Sequence, residues 1–297
     1  MKVMITGCRG QVGVCLVNQL SQIADIEVIA LDSAALDIGN PEQVRAQIVT
    51  AKPDVIINAA AYTAVDKAES EPEQAYRVNA AGPGYLALAA KQINALFLHI
   101  STDYVFDGSG DVPYREDDNT NPKTVYGQTK LAGEQLVIES GCRYGIVRTA
   151  WVFGEHGHNF VKTMIKLADR AELNIVADQF GGPTYAGDIA SALIIMMQKM
   201  VQTSDLASGI FHFSGAPHCS WYEFATHIFA TAKSVGLVQT TPELCPIPST
   251  AYPLPAQRPA NSRLNCDRVY REFGIAPSDW QAALKQVLTV DLQENQV

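Results

Sequence analysis

Short apolar runs alternate with amphipathic stretches along the first half of the chain. The runs are a few residues long and rich in Val and Ile, which is typical of strands covered on both faces of a parallel sheet. We predict strands at Lys2–Thr6, Glu27–Leu31, Asp54–Asn58, Leu96–Ser101 and Arg143–Thr149. The stretches between them predict helices at Gln11–Ser21, Pro41–Thr50, Glu73–Gln92 and Val125–Glu139.

The pattern changes after Trp151. It predicts a helix over Asn159–Arg170, a strand near Ile175, a helix over Asp188–Met200 and a strand over Ile210–Phe213. Six prolines between Pro242 and Pro259 then disfavour any long regular element. We interpret that passage as an ordered loop, which either frames a pocket or serves as a plain connector.

Together these elements predict an α/β fold, a doubly wound parallel sheet of the Rossmann type with a smaller C-terminal substrate-binding lobe. A length of 297 residues suits one large domain or a nucleotide-binding domain with a small second lobe. We predict a dinucleotide-binding domain over residues 1–150, to which later segments return. Residues 151–297 are then mainly the substrate-binding lobe.

The composition of the chain limits the classes of molecule that it is expected to bind. A formal net charge of -9 argues against a broad nucleic-acid-binding face, although a local basic pocket for a phosphorylated small molecule stays open. The N-terminus enters a strand pattern at once, and the apolar run Leu193–Met197 is too short to span a bilayer. We therefore expect no membrane association and a cytoplasmic location. The six cysteines include no CxxC pair and no nearby histidine at metal spacing, so we expect reduced thiols and no metal.

The first strand is followed directly by a glycine loop. Gly7, Gly10 and Gly13 precede and open a predicted helix, where glycines allow a tight turn and close approach of the backbone to a diphosphate. The spacing is GxxGxxG and not the usual GxGxxG. The motif is informative because it lies between a predicted strand and a predicted helix. It predicts that a nicotinamide dinucleotide contacts the loop residues Gly7, Arg9, Gly10, Gln11, Val12 and Gly13.

Residues that follow the next two strands complete this predicted cofactor site. Asp32 ends the second strand, where a carboxylate can accept hydrogen bonds from the adenosine ribose or can cap a turn. A carboxylate there favours NADH, whereas the neighbouring Arg9 can pair with the 2′-phosphate of NADPH, so the residues leave the choice open. The adenine and the linking ribose would lie near Asp37, Ile38, Ala59, Ala60 and Ala61, although the alanines can equally be packing residues.

Three polar side chains predict proton transfer to a carbonyl. Tyr126 and Lys130 are spaced i and i+4 on a predicted helix, and Thr102 follows a predicted strand. We expect Tyr126 to donate the proton, Lys130 to lower the phenol pKa and hold the nicotinamide ribose, and Thr102 to hydrogen-bond the same oxygen. A YxxxK pair alone is common on helix surfaces, but here it occurs together with the glycine loop.

The chain resembles the extended short-chain dehydrogenase/reductase family, and within it the dTDP-4-dehydrorhamnose reductases. The resemblance covers nearly the whole chain and rests on residues 6–13, NAAAYTAVDKAE (58–69), STDYVFDG (101–108), YGQTKLAGE (126–134), residues 148–153, DQFGGPT (178–184) and RPANSRL (258–264). It implies transfer of hydride from NADPH, or from NADH, to the C4 ketone of dTDP-4-dehydro-L-rhamnose, with Tyr126 as proton donor.

The resemblance also implies substrate contacts. Besides Thr102, the residues are Asp103, Tyr104, Trp151, Asn159, Gln179 and Arg258. The aromatic pair can cover a sugar face or pack in the core, and Arg258 can bind a diphosphate or pair with a carboxylate. Some relatives have an acidic residue beyond the glycine loop that is associated with a metal-linked dimer, but this chain reads Gly13-Val14-Cys15. A homodimer is therefore possible, but we do not expect a magnesium ion to bridge it.

Other activities remain alternatives. Sugar-nucleotide dehydratases place an Asp-Glu pair after the active-site threonine, whereas Thr102 is followed by Asp103-Tyr104, which favours reduction over dehydration. Another sugar-nucleotide reductase or an epimerase would use the same proton donor. A regulatory subunit of the methionine adenosyltransferase type would keep the cofactor pocket without catalysis.

Overall fold

Strands and helices alternate through the first half of the chain, as predicted. The computed structural model describes residues 1–203 and 206–294. The strands are β1 Lys2–Thr6, β2 Glu27–Leu31, β3 Val55–Asn58, β4 Leu96–Thr102, β5 Arg143–Thr149, β6 Val152–Phe153, β7 Glu172–Val176, β8 Phe180–Gly181, β9 Thr184–Tyr185, β10 Gly209–His212, β11 Gly215–Ala216, β12 Cys219–Ser220, β13 Glu243–Ile247 and β14 Ser278–Asp279.

Most helices are short. They are α1 Gln11–Leu20, α2 Pro41–Ala51, α3 Val65–Ala68, α4 Pro72–Tyr76, α5 Gly82–Ile93, α6 Val125–Glu139, α7 Phe160–Lys166, α8 Ala186–Gln202, α9 Trp221–Ser234, α10 Asp267–Phe273 and α11 Trp280–Glu294. A π-helical turn at Arg77–Ala81 joins α4 to α5. Over the described ranges, none of these helices is long and apolar enough to cross a membrane.

The central sheet is parallel, with the strand order β2-β1-β3-β4-β5-β10. Because β2 and β3 lie on opposite sides of β1, the winding direction changes there, and the carboxyl ends of β1 and β3 flank a crevice. The register aligns Thr6 with Asn58 and Asn58 with His99. Polar groups from three neighbouring strands therefore meet at one edge of the sheet.

Alternate residues of each strand pack against helices on the two faces. Val3 and Ile5 of β1 contact the core that α1 and α8 cover, while Met4 contacts the core under α2 and α5. Such continuous burial explains why the strands are nearly uninterrupted apolar runs. The prediction of a doubly wound α/β sheet is confirmed.

A separate apolar core lies in the second half of the chain. It joins α7, α9 and α11 through buried side chains that include Phe153, Phe224 and Trp280. Not every late element belongs to it, because α8 packs on α1 and β10 pairs with β5 in the central sheet. The division into domains at residue 150 stays a prediction.

Helical structure runs without a break from Pro72 to Ile93, across the helix predicted over Glu73–Gln92, but it is not a regular α-helix throughout. The α-helical pattern is interrupted by the π-helical turn before α5, where Gly82 donates to the carbonyl of Arg77. Pro83 has no N–H with which to reach the carbonyl of Asn79, four residues earlier, so the regular helical pattern cannot continue through this point. The freed Asn79 carbonyl faces α6, which approaches it closely at Gly133.

Two other elements differ from the sequence-based expectation. The helix predicted over Asn159–Arg170 begins at Phe160, with Asn159 as its cap, and ends at Lys166. The proline-rich passage contains strand β13, which pairs in parallel with β7. Its Pro246 is tolerated because this two-stranded sheet leaves an open edge that needs no donor.

We expect Gly133→Ala to lower the free energy of unfolding by about 1–2 kcal/mol in urea denaturation. Alanine adds about 1 kcal/mol of helix propensity. However, a Cβ at this position would lie 2.1 Å from the Asn79 carbonyl oxygen, and overpacking of this kind costs about 1–3 kcal/mol or more. Gly110→Ala is the control, because its Cβ would meet Tyr114 at an ordinary 3.4 Å. Equal stability of both variants would contradict the prediction.

Candidate functional site

The glycine loop lies against the start of the segment that follows β3. Gly7 has a φ of +72°, and a Cβ there would lie 2.6 Å from the backbone of Ala60. A Cβ at Gly13 would lie 2.1 Å from the Gly7 carbonyl oxygen. Only glycine fits both places, so the sequence motif reflects the close approach of three backbone segments.

The N-terminus of α1 has the properties of a phosphate-binding site. The helix begins at Gln11, its cap is Gly10 without a side-chain hydrogen bond, and its first turn has no acidic residue. The first N–H groups of a helix have no partner within the helix and attract anions. This helix start can therefore accommodate a diphosphate, and contacts of Gly10, Gln11, Val12 and Gly13 with a cofactor stay a prediction.

Asp32 and Arg9 contact each other beside the loop. The Arg9 Nε lies 2.7 Å from the Asp32 Oδ2, and Asp32 also accepts hydrogen bonds from the N–H groups of Ala34 and Ala35. These backbone bonds, and then Arg9, lower the Asp32 pKa. Asp32 therefore caps a turn, one of the two roles considered from the sequence, and also holds the exposed Arg9 guanidinium; its contact with an adenosine ribose stays a prediction.

The remaining predicted cofactor contacts differ in their surroundings: some lie in loops and one lies in the apolar core. Asp37 binds Arg77, with Nη1 and Oδ2 2.6 Å apart, and Ile38 is buried against α5 at Gly82. Ala59, Ala60 and Ala61 are half-buried, and Ala60 lies against Gly7. The small alanines therefore permit the close approach that the sequence suggested, whereas Ile38 presents an apolar core side chain.

Helix α6 brings Tyr126 to Thr102. Thr124 caps the helix, and a Cβ at Gly127 would lie 2.2 Å from the Tyr104 carbonyl oxygen, so the helix start packs tightly on the segment after β4. The phenol hydrogen-bonds Thr102. The Thr102 hydroxyl donates to Asp103 at 2.9 Å and accepts from the Tyr104 N–H at 3.2 Å.

The expected lowering of the Tyr126 pKa does not occur in this structure. The Tyr126 pKa is raised to about 12, because burial and, to a smaller extent, the Asp103 carboxylate raise it by more than the hydrogen bond with Thr102 lowers it. Lys130 is not among the groups that shift this pKa, and its Nζ donates to the Ile100 carbonyl at 2.7 Å. The phenol is therefore protonated at neutral pH.

Lys130 is a buried lysine with a weakened hold on its own proton. Its side chain is 1% exposed, and its Nζ lies 3.4 Å from the Nε2 of His99. Burial lowers the Lys130 pKa to about 8, against the opposing influence of the Glu134 carboxylate. This lysine therefore changes charge near pH 8.

Tyr104 and Trp151 lie in different surroundings. Tyr104 packs edge-on against Tyr126, with ring centroids 5.4 Å apart, and so lies beside the Tyr126 phenol. Trp151 stacks on Trp221 at 3.6 Å, and Gly181 packs directly against its indole. One face of Trp151 is therefore covered by protein, as in the core-packing interpretation of this residue.

The three polar substrate candidates each have protein partners. Asn159 is buried and its amide donates to Gln11 at 2.9 Å, which links the second lobe to the helix of the glycine loop. Gln179 donates to Ser249 at 2.9 Å, and Arg258 pairs with Asp66 at 2.6 Å. Their contacts to a nucleotide stay predictions.

A buried ion pair behind the site was missed from the sequence. Arg148 of β5 binds both carboxylate oxygens of Glu134 on α6, at 2.9 and 2.7 Å, and Ser101 of β4 donates to the same carboxylate. The two ionic side chains are 2% and 1% exposed. Sequence spacing gave no signal for this pair, because Glu134 and Arg148 meet only once strand and helix are packed.

Comparison with known proteins identifies the family. A family model described as the RmlD substrate binding domain matches residues 1–292. The chain belongs to this family. No group of three or more His, Cys, Asp or Glu side chains in the described part of this family member is arranged to hold a metal ion.

Relatives of this RmlD family member match it over nearly their whole length. The chain is 48% identical over 287 residues to a dTDP-4-dehydrorhamnose reductase of Aggregatibacter actinomycetemcomitans, covering 96% of this chain and 98% of the relative. A solved dTDP-4-dehydrorhamnose reductase of Clostridium acetobutylicum has a TM-score of 0.89 at 40% identity, covering 99% of this chain and 100% of that one.

A further solved relative carries a cofactor. The dTDP-4-dehydrorhamnose reductase of Bacillus anthracis, determined in complex with NADP, has a TM-score of 0.86 at 38% identity and covers 96% of this chain and 98% of that one.

We expect Glu134→Gln to lower the free energy of unfolding by about 3 kcal/mol, because it leaves the buried Arg148 charge without its carboxylate. Urea denaturation measures the change. Glu272→Gln removes the partly exposed pair with Arg268 and should cost no more than about 1 kcal/mol. A Glu134→Gln variant as stable as this control would contradict the assignment of Glu134 and Arg148 as a buried ion pair.

Proposed function

We propose that this chain is a dTDP-4-dehydrorhamnose reductase, which reduces the C4 ketone of dTDP-4-dehydro-L-rhamnose to give dTDP-L-rhamnose. The observation that carries the proposal is the full-length similarity to proteins of that name, combined with a phenol, a hydroxyl and a lysine at one edge of the sheet. Reduction needs a proton donor next to the hydride acceptor, and Tyr126 is that donor.

The chain fits a nicotinamide dinucleotide. Glycine is required at positions 7 and 13, and the uncapped start of α1 leaves N–H groups for a diphosphate. A bound reduced nicotinamide supplies hydride to the ketone carbon. We propose NADPH as the physiological cofactor, with NADH as the alternative, since the exposed Arg9 guanidinium can meet a 2′-phosphate beside the ribose-binding Asp32. The NADP complex of the Bacillus anthracis relative supports this choice.

Each reacting side chain has a defined task. Tyr126 donates its proton to the ketone oxygen as that oxygen gains negative charge. Thr102 holds the phenol in place through a hydrogen bond, and Asp103 fixes the orientation of the Thr102 hydroxyl. For Thr102 to donate to the ketone as well, its proton must leave Asp103. The raised pKa of that buried carboxyl, about 6, makes such an exchange accessible.

Lys130 offsets the cost of the tyrosinate. Each unit of phenol pKa corresponds to about 1.4 kcal/mol, so an unassisted Tyr126 anion is costly. In the complex with substrate and cofactor we expect the Lys130 ammonium, one helical turn away, to act on that anion, although in this structure its Nζ donates to the Ile100 carbonyl. The protonated form of Lys130 is therefore the active one, although burial works against it.

A single assay tests the proposal. Purified protein is incubated with dTDP-4-dehydro-L-rhamnose and either NADPH or NADH, and the loss of nicotinamide absorbance is followed while the product is identified. We expect stoichiometric cofactor consumption and dTDP-L-rhamnose, with NADPH preferred. An epimerase would not consume added cofactor, and a regulatory subunit would show no turnover, so either outcome would reject the proposal.

Tyr126→Phe should reduce kcat by about 10²–10⁴-fold, the usual contribution of a positioned proton donor. The ring and its packing on Tyr104 are retained, so the Kd for NADPH should change by less than about threefold, a negligible free energy. Steady-state kinetics and fluorescence titration measure the two quantities. Equal losses in turnover and cofactor affinity would count against the proton-donor role.

The pH dependence of kcat/KM should reflect the loss of the Lys130 proton. Its pKa is about 8, and the charged form exists below that value. The kcat/KM for the reductase reaction should therefore be level on the acid side of pH 8 and fall as Lys130 loses its proton above it. A profile that stays level to about pH 9.5 would contradict the assignment.

A further inference from the structure

A chain of buried polar side chains runs beneath Lys130, across three neighbouring strands. Thr6 ends β1, Asn58 ends β3 and His99 lies within β4. All three side chains are at most 1% exposed. Because water does not reach such groups, their hydrogen bonds to one another determine their orientations.

The orientation of the Asn58 amide is fixed by its neighbours. Its Oδ1 accepts from the Thr6 hydroxyl at 2.6 Å and from the backbone N–H of Ala60 at 3.1 Å. A backbone N–H can only donate, so the amide cannot be reversed without placing two donors face to face. The Nδ2 of Asn58 therefore points at the Nδ1 of His99, 3.0 Å away.

This contact selects one tautomer of His99. Burial, and then the charge of Lys130, lowers the His99 pKa well below its ordinary value, so the ring is neutral. Because Nδ1 accepts the hydrogen bond from Asn58, the ring proton is on Nε2. That nitrogen lies 3.4 Å from the Nζ of Lys130.

We propose that His99 is a positioning residue that directs an N–H group at Lys130 and favours the neutral amine over the ammonium. A neutral amine can accept from this N–H through its lone pair while it donates to the Ile100 carbonyl, whereas an ammonium would face a second donor. His99 thus helps to set the pH at which Lys130 changes charge. The catalytic consequence rests on the proposed reductase function.

Among the other charged or titratable groups near Lys130, some favour its ammonium form and others weaken that preference. Glu134, on the same helix, favours the ammonium, but Arg148 of β5 binds that carboxylate and weakens its influence. Tyr126, one turn away on α6, is neutral until it gives up its proton. Asp103, after β4, is a buried carboxyl whose charge acts on Tyr126. Unlike these groups, His99 presents an N–H at hydrogen-bonding distance from the Nζ of Lys130.

The tautomer can be read directly from the unmodified protein. Nitrogen-15 NMR of protein labelled in its histidines distinguishes protonated from unprotonated ring nitrogens. His99→Gln identifies the His99 signals by their loss. We expect His99 with a protonated Nε2 and a bare Nδ1 between about pH 6 and 9, the range that brackets the ordinary histidine pKa. The opposite tautomer would overturn the proposal, whether or not the protein reduces a sugar.

The variant His99→Gln tests the effect on Lys130. The glutamine carbonyl can accept from the ammonium, so we expect the Lys130 pKa to rise by about one unit. Carbon-13 NMR of labelled lysine measures that pKa without any assay of activity. The basic limb of kcat/KM should move to higher pH by the same amount. An unchanged Lys130 pKa would overturn the proposal.

His212→Gln is the matched control. His212 is also buried and lies on a strand of the same sheet, but its ring contacts the Tyr114 carbonyl and Arg148 rather than Lys130. The same substitution there should leave the Lys130 pKa in place. A shift equal to that of His99→Gln would assign the effect to general loosening of the sheet and overturn the proposal. If the protein has no reductase activity at any pH, the two NMR measurements still decide the role of His99.

Discussion

The burial of a lysine amine at the carboxyl edge of a parallel sheet is the constraint on which the site depends. Lys130 reaches the Ile100 carbonyl and His99 through the interior, so α6 must lie close to β4 and cannot rotate without exposing or orphaning the amine. The same helix orientation places Tyr126 at Thr102. Fixing one side chain of the helix thereby positions the other.

Tight backbone contacts and a buried ion pair hold that helix in place. Gly127 packs on the Tyr104 carbonyl and Gly133 on the Asn79 carbonyl, while Glu134 is bound by Arg148 of β5. Replacing the ion pair with apolar residues could leave stability unchanged, since desolvation offsets much of its attraction. The ion pair instead contributes to geometry, because a bidentate pair fixes how the helix and the strand are arranged.

The fold could be predicted from the sequence because its strands are continuous apolar runs and its turns carry glycines. The site was predicted in part, since Thr102 and Tyr126 meet as expected. The interactions that tune it could not be foreseen. The partner of Lys130 is a histidine in the middle of a strand, and the carboxylate that pairs with Arg258 proves to be Asp66, from a distant segment. Such contacts depend on packing between elements that no local pattern encodes.

A high phenol pKa is compatible with proton donation. Burial stabilises the neutral phenol, so in the proposed reaction Tyr126 would keep its proton until the ketone oxygen becomes negatively charged and a much stronger acceptor. The positive charge needed to stabilise the anion lies on Lys130, and burial lowers the pKa of that group too. Desolvation thus acts on both groups in the same sense, toward the uncharged forms. An ionic tyrosinate-lysine pair is therefore favoured only when substrate draws the proton away, which confines ionisation of Tyr126 to the reaction itself.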